Sequence, residues 1–425
     1  MDLNKVKIAV IGLGYVGLPL AIEFSKKYPT IGFDINTKRV EELKKGYDST
    51  GEVQESSDLV RENISFTCEL TAIKQANVYI VTVPTPISKT NEPDLSPLLD
   101  ASTKLGKILK KGDTVIYEST VYPGATEEDC VPLLEGYSGL RLHRDFAVGY
   151  SPERVNPGDK TNRISNIVKV TSGSCMESSQ FIDGLYKSII KAGTYLAPTI
   201  RIAEASKVIE NTQRDVNIAL VNELAMIFSR MGIDTHEVLK AASTKWNFLN
   251  FKPGLVGGHC IGVDPYYLFH KASVVGFPPE LIRVSRKINN EMPKHISSQF
   301  IKALFKSGLL TEKSEILILG ATFKENCPDL RNSKVFDVFQ ELIDYGLNVK
   351  IYDPVASKQE LNDIYGSNVV FENGLEKRYE GVIIAVAHTQ FISMGFKSIK
   401  RLMVENGIIY DLKAIFGSTE TSLRL

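Results

Sequence analysis

The chain has 425 residues, 43% of them hydrophobic and 24% charged, with 50 Lys+Arg set against 50 Asp+Glu. That length exceeds one ordinary hydrophobic core, so two or three domains are expected, and the composition is that of a folded globular protein. Zero net charge excludes a general electrostatic attraction to nucleic acid or to a membrane surface, so an anionic ligand must be met by locally placed cations and helix N-termini.

Met1 to Lys5 leads straight into an apolar run with no signal-peptide pattern. Val6–Ile11, Thr30–Asp34, Val78–Val83 and Thr114–Glu118 read as strands, with helical patterns such as Arg39–Lys45 between them. Strands alternating with helices predict a parallel sheet covered on both faces. From Ile200 to about Ser229 there is no Gly or Pro, and apolar residues recur at helical spacing. This predicts one helix of roughly thirty residues, about 45 Å long. Met231-Gly232 should end it, and further helix is expected at Thr235–Ser243, Leu281–Asn290 and Pro293–Ser307. The α/β rhythm then returns, with strands expected at Glu315–Gly320, Asn348–Asp353, Val369–Phe371, Gly381–Val386 and Gly407–Asp411. The expected fold is α/β, with two Rossmann-like domains joined by a central all-α domain built on the long helix. The predicted boundaries are 1–199, 200–308 and 309–425. No apolar stretch reaches the ~18 residues that span a bilayer. Cys68, Cys130, Cys175, Cys260 and Cys327 are odd in number and show no CxxC spacing. Neither a metal site nor a disulfide framework is expected, and a reducing cytoplasm is the simplest compartment.

Gly12-Leu13-Gly14-Tyr15-Val16-Gly17 follows the first strand and opens a helix. The first glycine permits a tight turn, the second lets the backbone approach a pyrophosphate, and the third lets helix pack on strand. Phosphates then meet a helix N-terminus. The second strand ends in Asp34, a carboxylate suited to a ribose diol and repelled by a 2′-phosphate, so NAD is expected rather than NADP; Arg39 nearby pulls the other way. Further along, Cys260 closes the glycine-rich run Lys252–Gly258. Such a setting suits an exposed nucleophile, while a packed structural thiol is the competing reading, because free Cys is commonly buried.

The blocks GLGYVGLP at Gly12, VPTP at Val83, ESTVYPGATE at Glu118, SPERVNPG at Ser151, EASKVIENTQRDVNIALVNE at Glu204, PGLVGGHCIGVDPYYL at Pro253 and FKENCPDLRNS at Phe323 together resemble the UDP-glucose/UDP-hexosamine 6-dehydrogenase family over essentially the whole chain. The resemblance implies four-electron oxidation of a C6 alcohol to a carboxylate with NAD, Cys260 being the nucleophile that forms a thiohemiacetal and then a thioester. It implies that Lys207 and Asn211 stabilise the developing oxyanion, that Asp264 orders water, that Glu153 is the base for thioester hydrolysis and that Thr120 positions its water. Tyr15, Val16, Thr85, Thr120 and Arg331 join the glycines, Asp34 and Arg39 as cofactor contacts. Arg154, Val155, Arg214, Phe251, Gly257, Phe323 and Lys324 join Lys207 and Asn211 as substrate contacts, Phe251 closing the Trp246–Phe251 loop.

Family members acting on UDP-glucose read close to GGSCFPKD at the nucleophile, whereas this chain reads GGHCIGVD, with His259 in place of a small residue and Val263 in place of the lysine. The departure resembles the branch acting on UDP-N-acetylhexosamines (UDP-GlcNAc or UDP-GalNAc) in surface polysaccharide biosynthesis; the C4 configuration is not readable. The VDPYYL and WNF segments stand closer to that branch than to the UDP-ManNAc one. Two alternatives remain: a UDP-glucose 6-dehydrogenase, and an inactive nucleotide-sugar-binding protein, against which intact Cys260, Lys207, Asn211 and Asp264 argue. The long helix leads us to expect a homodimer; no nucleic-acid or membrane partner is expected.

Overall fold

Ile8–Ile11 (β1), the sequence IAVI, is buried at every position, as a strand flanked by neighbours and covered on both faces must be. The computed structural model describes residues 2–53, 55–88, 90–155, 164–258 and 260–425. It divides into two compact units, Met1–Glu210 with Tyr266–Pro278, and Asn211–Pro265 with Pro279–Leu425.

In the first unit β1 is joined by Thr30–Phe33 (β2), Ile64–Thr67 (β3), Val78–Val81 (β4), Thr114–Tyr117 (β5), Ala147–Tyr150 (β6), Lys169–Gly173 (β7) and Thr194–Leu196 (β8). The sheet order is β3-β2-β1-β4-β5-β6-β7-β8. Its pairs are parallel except β6 with β7. The first six strands follow the doubly wound dinucleotide-binding order. Helices Gly17–Ser25 (α1), Thr37–Lys44 (α2), Ser96–Gly106 (α3), Val131–Ser138 (α4) and Met176–Lys187 (α5) accompany the strands. Strands β3 and β6 to β8 were not expected.

Ile200–Met231 (α6) is a single helix of 32 residues. Glycine ends it as expected, Gly232 taking the left-handed φ of 69° that an L side chain resists. One side of α6 buries Ala203, Val208, Ala219, Val221 and Ala225, while Ile202, Ile209, Leu220 and Ile227 are exposed. Thr235–Ala242 (α7) and Asp264–Val274 (α8) follow. Glu280–Lys306 (α9) corrects the expected pair of helices, because it runs on through Pro293. A proline there removes one N–H and crowds the carbonyl of Asn289, but Asn289, Met292, Pro293 and Ile296 are all buried, and packing holds the helix together.

The second unit contains Glu315–Leu319 (β9), Asn348–Tyr352 (β10), Tyr379–Ile384 (β11), Met403–Asp411 (β12) and Leu423–Arg424 (β13), with Lys334–Asp344 (α10), Lys358–Tyr365 (α11) and Thr389–Lys400 (α12). The order is β10-β9-β11-β12-β13, all parallel. One face of β9 buries Ile316 and Ile318 in a core with Met292, Ile296, Phe300, Val338 and Leu342. The other face buries Leu317 and Leu319 with Phe391 and Ile399. Val369–Phe371 is not a strand: Val369 makes only an isolated bridge to Ile351. Three residues between the one-turn helical segments Gly366–Asn368 and Glu372–Glu376 cannot build a ladder. The α/β class with two Rossmann-like sheets and a central helical region is thus as expected, and among the described residues no helix is long and apolar enough to cross a membrane.

The two sheets repeat one turn. Gly12 has φ 95° and Gly320 φ 94°. Gly12 N–H donates to Phe33 O and Gly320 N–H to Tyr352 O, both at 2.8 Å. The next amide in each case donates to the aspartate that follows the second strand, Leu13 to Asp34 Oδ2 at 2.8 Å and Ala321 to Asp353 Oδ2 at 2.7 Å.

Candidate active site

A Cβ on Gly17 would lie 1.8 Å from Gly12 O, and one on Gly12 would lie 3.0 Å from Thr82 O, so neither position accepts a side chain. A Cβ on Gly14, in contrast, would meet nothing within 4 Å. Helix α1 starts at Gly17 with no side chain capping it, and an uncapped helix start beside open space is the arrangement a pyrophosphate requires. Tyr15 and Val16 are half-buried between the glycines. Asp34 stays half-exposed and holds the turn through Leu13 N–H. Arg39 is buried and committed: its Nε donates to Leu13 O at 3.0 Å and its Nη2 pairs with Asp48 at 2.7 Å. An arginine so engaged braces the turn. The residues therefore fit NAD. Thr85 O accepts from Tyr267 Oη at 2.9 Å, and Thr120 is half-buried just beyond β5.

Glu153 follows β6 and is almost fully buried. Its Oε1 accepts the N–H groups of Arg154, at 2.7 Å, and Val155, while Oε2 lies 3.7 Å from Lys169 Nζ. Lys169, buried in β7, also meets Glu118 Oε2 at 2.6 Å, and Tyr186 Oη donates to the other Glu118 oxygen. Burial pushes Glu118 up to about 7; the Lys169 ammonium opposes this and the Glu153 carboxylate adds to it. Arg154 pairs with Glu210 at 2.8 Å, and Val155 is half-buried beside it. Lys207 is buried on α6.

In the second unit Asn211, one turn beyond Lys207 on α6, donates from Nδ2 to Asp264 Oδ2 at 2.5 Å. Both side chains are buried. Asp264 opens α8, and its N–H donates to Cys260 O at 2.8 Å, so thiol and carboxylate share one turn. Cys260 is partly exposed, unlike Cys130 and Cys327, which are buried. The loop before it is fastened from two sides. Asn222 on α6 accepts Gly254 N–H at 2.7 Å and donates to Gly254 O at 3.0 Å, and Asn289 and Asp215 stand behind it. A Cβ on Gly257 would come within 2.5 Å of Asn332 O, and one on Gly258 within 2.8 Å of the Phe323 ring. Phe323 and Lys324 are half-buried, with the ammonium 5.8 Å from the ring centroid. Arg331 is exposed and paired with Asp329 at 2.6 Å. Phe251 is half-buried, whereas Trp246 is 92% exposed and Arg214 is exposed on α6. His259 lies outside the described residues, as do residues 156–163, which include the end of the SPERVNPG block.

Sequence reasoning passed over Glu118, Lys169, Asn222, Asn289, Asp353 and His388. A lysine inside the apolar strand run IVKVTSG and a histidine at the end of GVIIAVAH were the available signals. Among the described residues no group of three or more His, Cys, Asp or Glu side chains is placed to hold a metal ion.

A dinucleotide-type sheet, a second doubly wound sheet and a partly exposed thiol in a glycine-rich loop define a nucleotide-sugar dehydrogenase, an oxidoreductase. Residues 6–190, 201–291 and 317–418 match the NAD binding, central and UDP binding domains of the UDP-glucose/GDP-mannose dehydrogenase family. The chain belongs to that family. It is 55% identical over 423 residues to a UDP-N-acetyl-D-glucosamine 6-dehydrogenase of Pseudomonas aeruginosa, covering 100% of both chains. It is 52% identical to one of Salmonella typhi, covering 100% of this chain and 99% of the other. The solved structure of a UDP-D-ManNAc dehydrogenase from Pyrococcus horikoshii superposes with a TM-score of 0.88 at 32% identity, covering 99% and 98% of the two chains.

Proposed function

We propose that this chain oxidises the C6 hydroxymethyl of a UDP-N-acetylhexosamine, UDP-GlcNAc before UDP-GalNAc, to the uronate, with NAD as hydride acceptor. End-to-end identity of 55% to a UDP-N-acetyl-D-glucosamine 6-dehydrogenase carries the substrate assignment. Residues 1–199 serve the cofactor, 200–308 the chemistry and self-association, and 309–425 the UDP moiety.

NAD, which the Gly12–Gly17 turn and Asp34 would hold, would supply the hydride acceptor for each of two oxidations. Lys207 and Asn211 hold the alcohol oxygen as its proton leaves, by charge and by hydrogen bond. The Cys260 thiolate adds to the resulting aldehyde carbon, keeping it bound as a thiohemiacetal whose C–H is a better hydride donor than a free aldehyde's. Loss of that hydride leaves a thioester. Glu153 takes a proton from a water positioned by Thr120, and the hydroxide displaces the thiolate; Asp264 orders the water through which protons leave. One alcohol, two NAD and one water give one carboxylate, two NADH and three protons. The product suits capsule or O-antigen assembly in the cytoplasm, and the exposed stripe of α6 suits a homodimer.

The test counts NADH per sugar consumed over a panel of UDP-sugars. Two NADH per UDP-GlcNAc, with little turnover of UDP-glucose, is the expected outcome. One NADH per sugar, with aldehyde released, would overturn the four-electron route.

A further inference from the structure

His388, at the end of the segment after β11, has no part in the chemistry above, yet its ring is completely buried at 0% exposure. Asn326 N–H donates to His388 Nδ1 at 2.9 Å. A backbone amide can only donate, so Nδ1 carries no proton and the neutral ring's proton sits on Nε2. That nitrogen lies 3.0 Å from Asp353 Oδ2 and 3.2 Å from Thr322 Oγ1. Asp353 Oδ2 also takes the N–H groups of Ala321 at 2.7 Å and Thr322 at 3.2 Å. Its Oδ1 takes those of Val355 at 2.8 Å and Ala356 at 2.9 Å. Thr322 Oγ1 donates to Lys324 O at 2.9 Å, and Asn326 Oδ1 accepts Thr389 N–H at 3.0 Å.

The repeated turn shows what this arrangement replaces. Asp34, after β2, is half-exposed and, among the described residues, accepts from the amides of Leu13 and Asn36. Asp353 holds the equivalent place after β10, but it is buried at 6% and carries five donors. A carboxylate so occupied has no lone pair left for a ribose diol. Its donors instead pin the segment Ala321–Asn326 at Ala321, Thr322 and, through His388, at Asn326. Phe323 and Lys324 project between the pins. Asn326 holds a left-handed φ of 55°, which a hydrogen-bonded Asn tolerates.

We propose that the His388–Asp353 pair is a positioning device for the uridine diphosphate moiety, presetting Phe323 and Lys324 for it, in a sheet whose ribose-type carboxylate has been withdrawn from ligand contact. This rests on the reading of the second unit as the UDP-sugar-binding part. H388Q keeps a donor toward Asp353 and leaves Asn326 N–H without its acceptor. H388N places its amide oxygen where Nδ1 stands and restores that acceptor. N326G keeps the backbone turn and removes only the bond to Thr389.

Calorimetric titration of the full-length protein with UDP is the first measurement, and the KM values for UDP-sugar and NAD with kcat are the second. The Asn326 amide is part-buried where it meets His388, and a donor there left without its acceptor weakens what its loop holds by about tenfold. H388Q is therefore expected to raise the Kd of UDP and the KM of UDP-sugar about tenfold, with the KM of NAD and saturated kcat within about twofold. H388N should recover to within about threefold of wild type, and N326G should raise the Kd of UDP without touching the buried ring. Unchanged UDP affinity in both H388Q and N326G would overturn this proposal alone. Absence of UDP binding by the wild-type protein would overturn the UDP-sugar reading and this proposal with it.

Discussion

Cys260 owes its exposure to neighbours that lack side chains. The backbone at Gly257 and Gly258 lies against Asn332 and the Phe323 ring so closely that a methyl group at either glycine would clash, and the thiol follows at the start of the turn into α8. Converting the thiol to an alcohol keeps the size nearly constant and removes most of the nucleophilicity. C260S is expected to lower steady-state NADH production about a thousandfold while UDP and NAD bind within about threefold of wild type. Near-normal turnover in that variant would sink the thioester route. The glycines, Asp34 and the cysteine were legible because each carries a local pattern: a turn, a strand end, a run of small residues. The supporting pairs were not. Asn222 meets Gly254 across 32 positions and His388 meets Asp353 across 35, and nothing in a local window marks such a pair. Arg39 belongs with them: its place beside Asp34 suggests a ligand contact, while its engagement with Asp48, Ser49 and Leu13 shows only in the fold.

At the scale of elements, α6 does more than bridge the sequence between the two sheets. Glu204, wholly buried near its start, accepts the amides of Gly124 at 2.5 Å and Thr126 at 2.9 Å and so ties the segment after Thr120 to the helix that carries Lys207. Burial pushes this carboxyl up to about 7, against the lowering effect of Thr126 and the Gly124 amide. The folded value lies above the ordinary 4.5, so the fold favours the protonated form. The contribution to stability is then complete below about 4.5 and is lost as pH rises through about 7. Its full size is about 3 kcal/mol. In E204Q, which cannot ionise, the difference in thermal midpoint from wild type should change by a few degrees between about pH 5 and pH 8, in favour of the variant at the higher pH. A difference that does not vary with pH would show that Glu204 is not the titrating group. Helix α6 itself was plain in the sequence because thirty residues without Gly or Pro admit little else. The strands β6 to β8 were not, because Ala147–Tyr150 holds a glycine and Lys169–Gly173 a lysine, which weaken the apolar signal. Val369–Phe371 erred the other way: an apolar triplet whose pairing stops at one bridge to Ile351 is not a strand.

At the scale of the whole molecule, the exposed stripe on α6 is the surface on which the proposed homodimer rests. Ile202 and Leu220, and likewise Ile209 and Ile227, are separated by eighteen residues, five full turns at 3.6 residues per turn. All four therefore lie in one row along the helix, with Ile209 and Leu220 each 54% exposed. An exposed apolar row of that length is costly to leave in water, and a second copy of the same helix is self-complementary to it. Sedimentation equilibrium at micromolar concentration should give twice the 47.1 kDa chain mass; a single-chain mass would remove the dimer.

The chain has one tryptophan, Trp246, and it stands 92% exposed in the segment between α7 and the cysteine loop. Every photon emitted by indole from this molecule therefore comes from a single place. Its emission spectrum follows the wetting of that one loop, so occupancy there can be watched in real time on unlabelled protein, separately from any signal arising at the glycine turn.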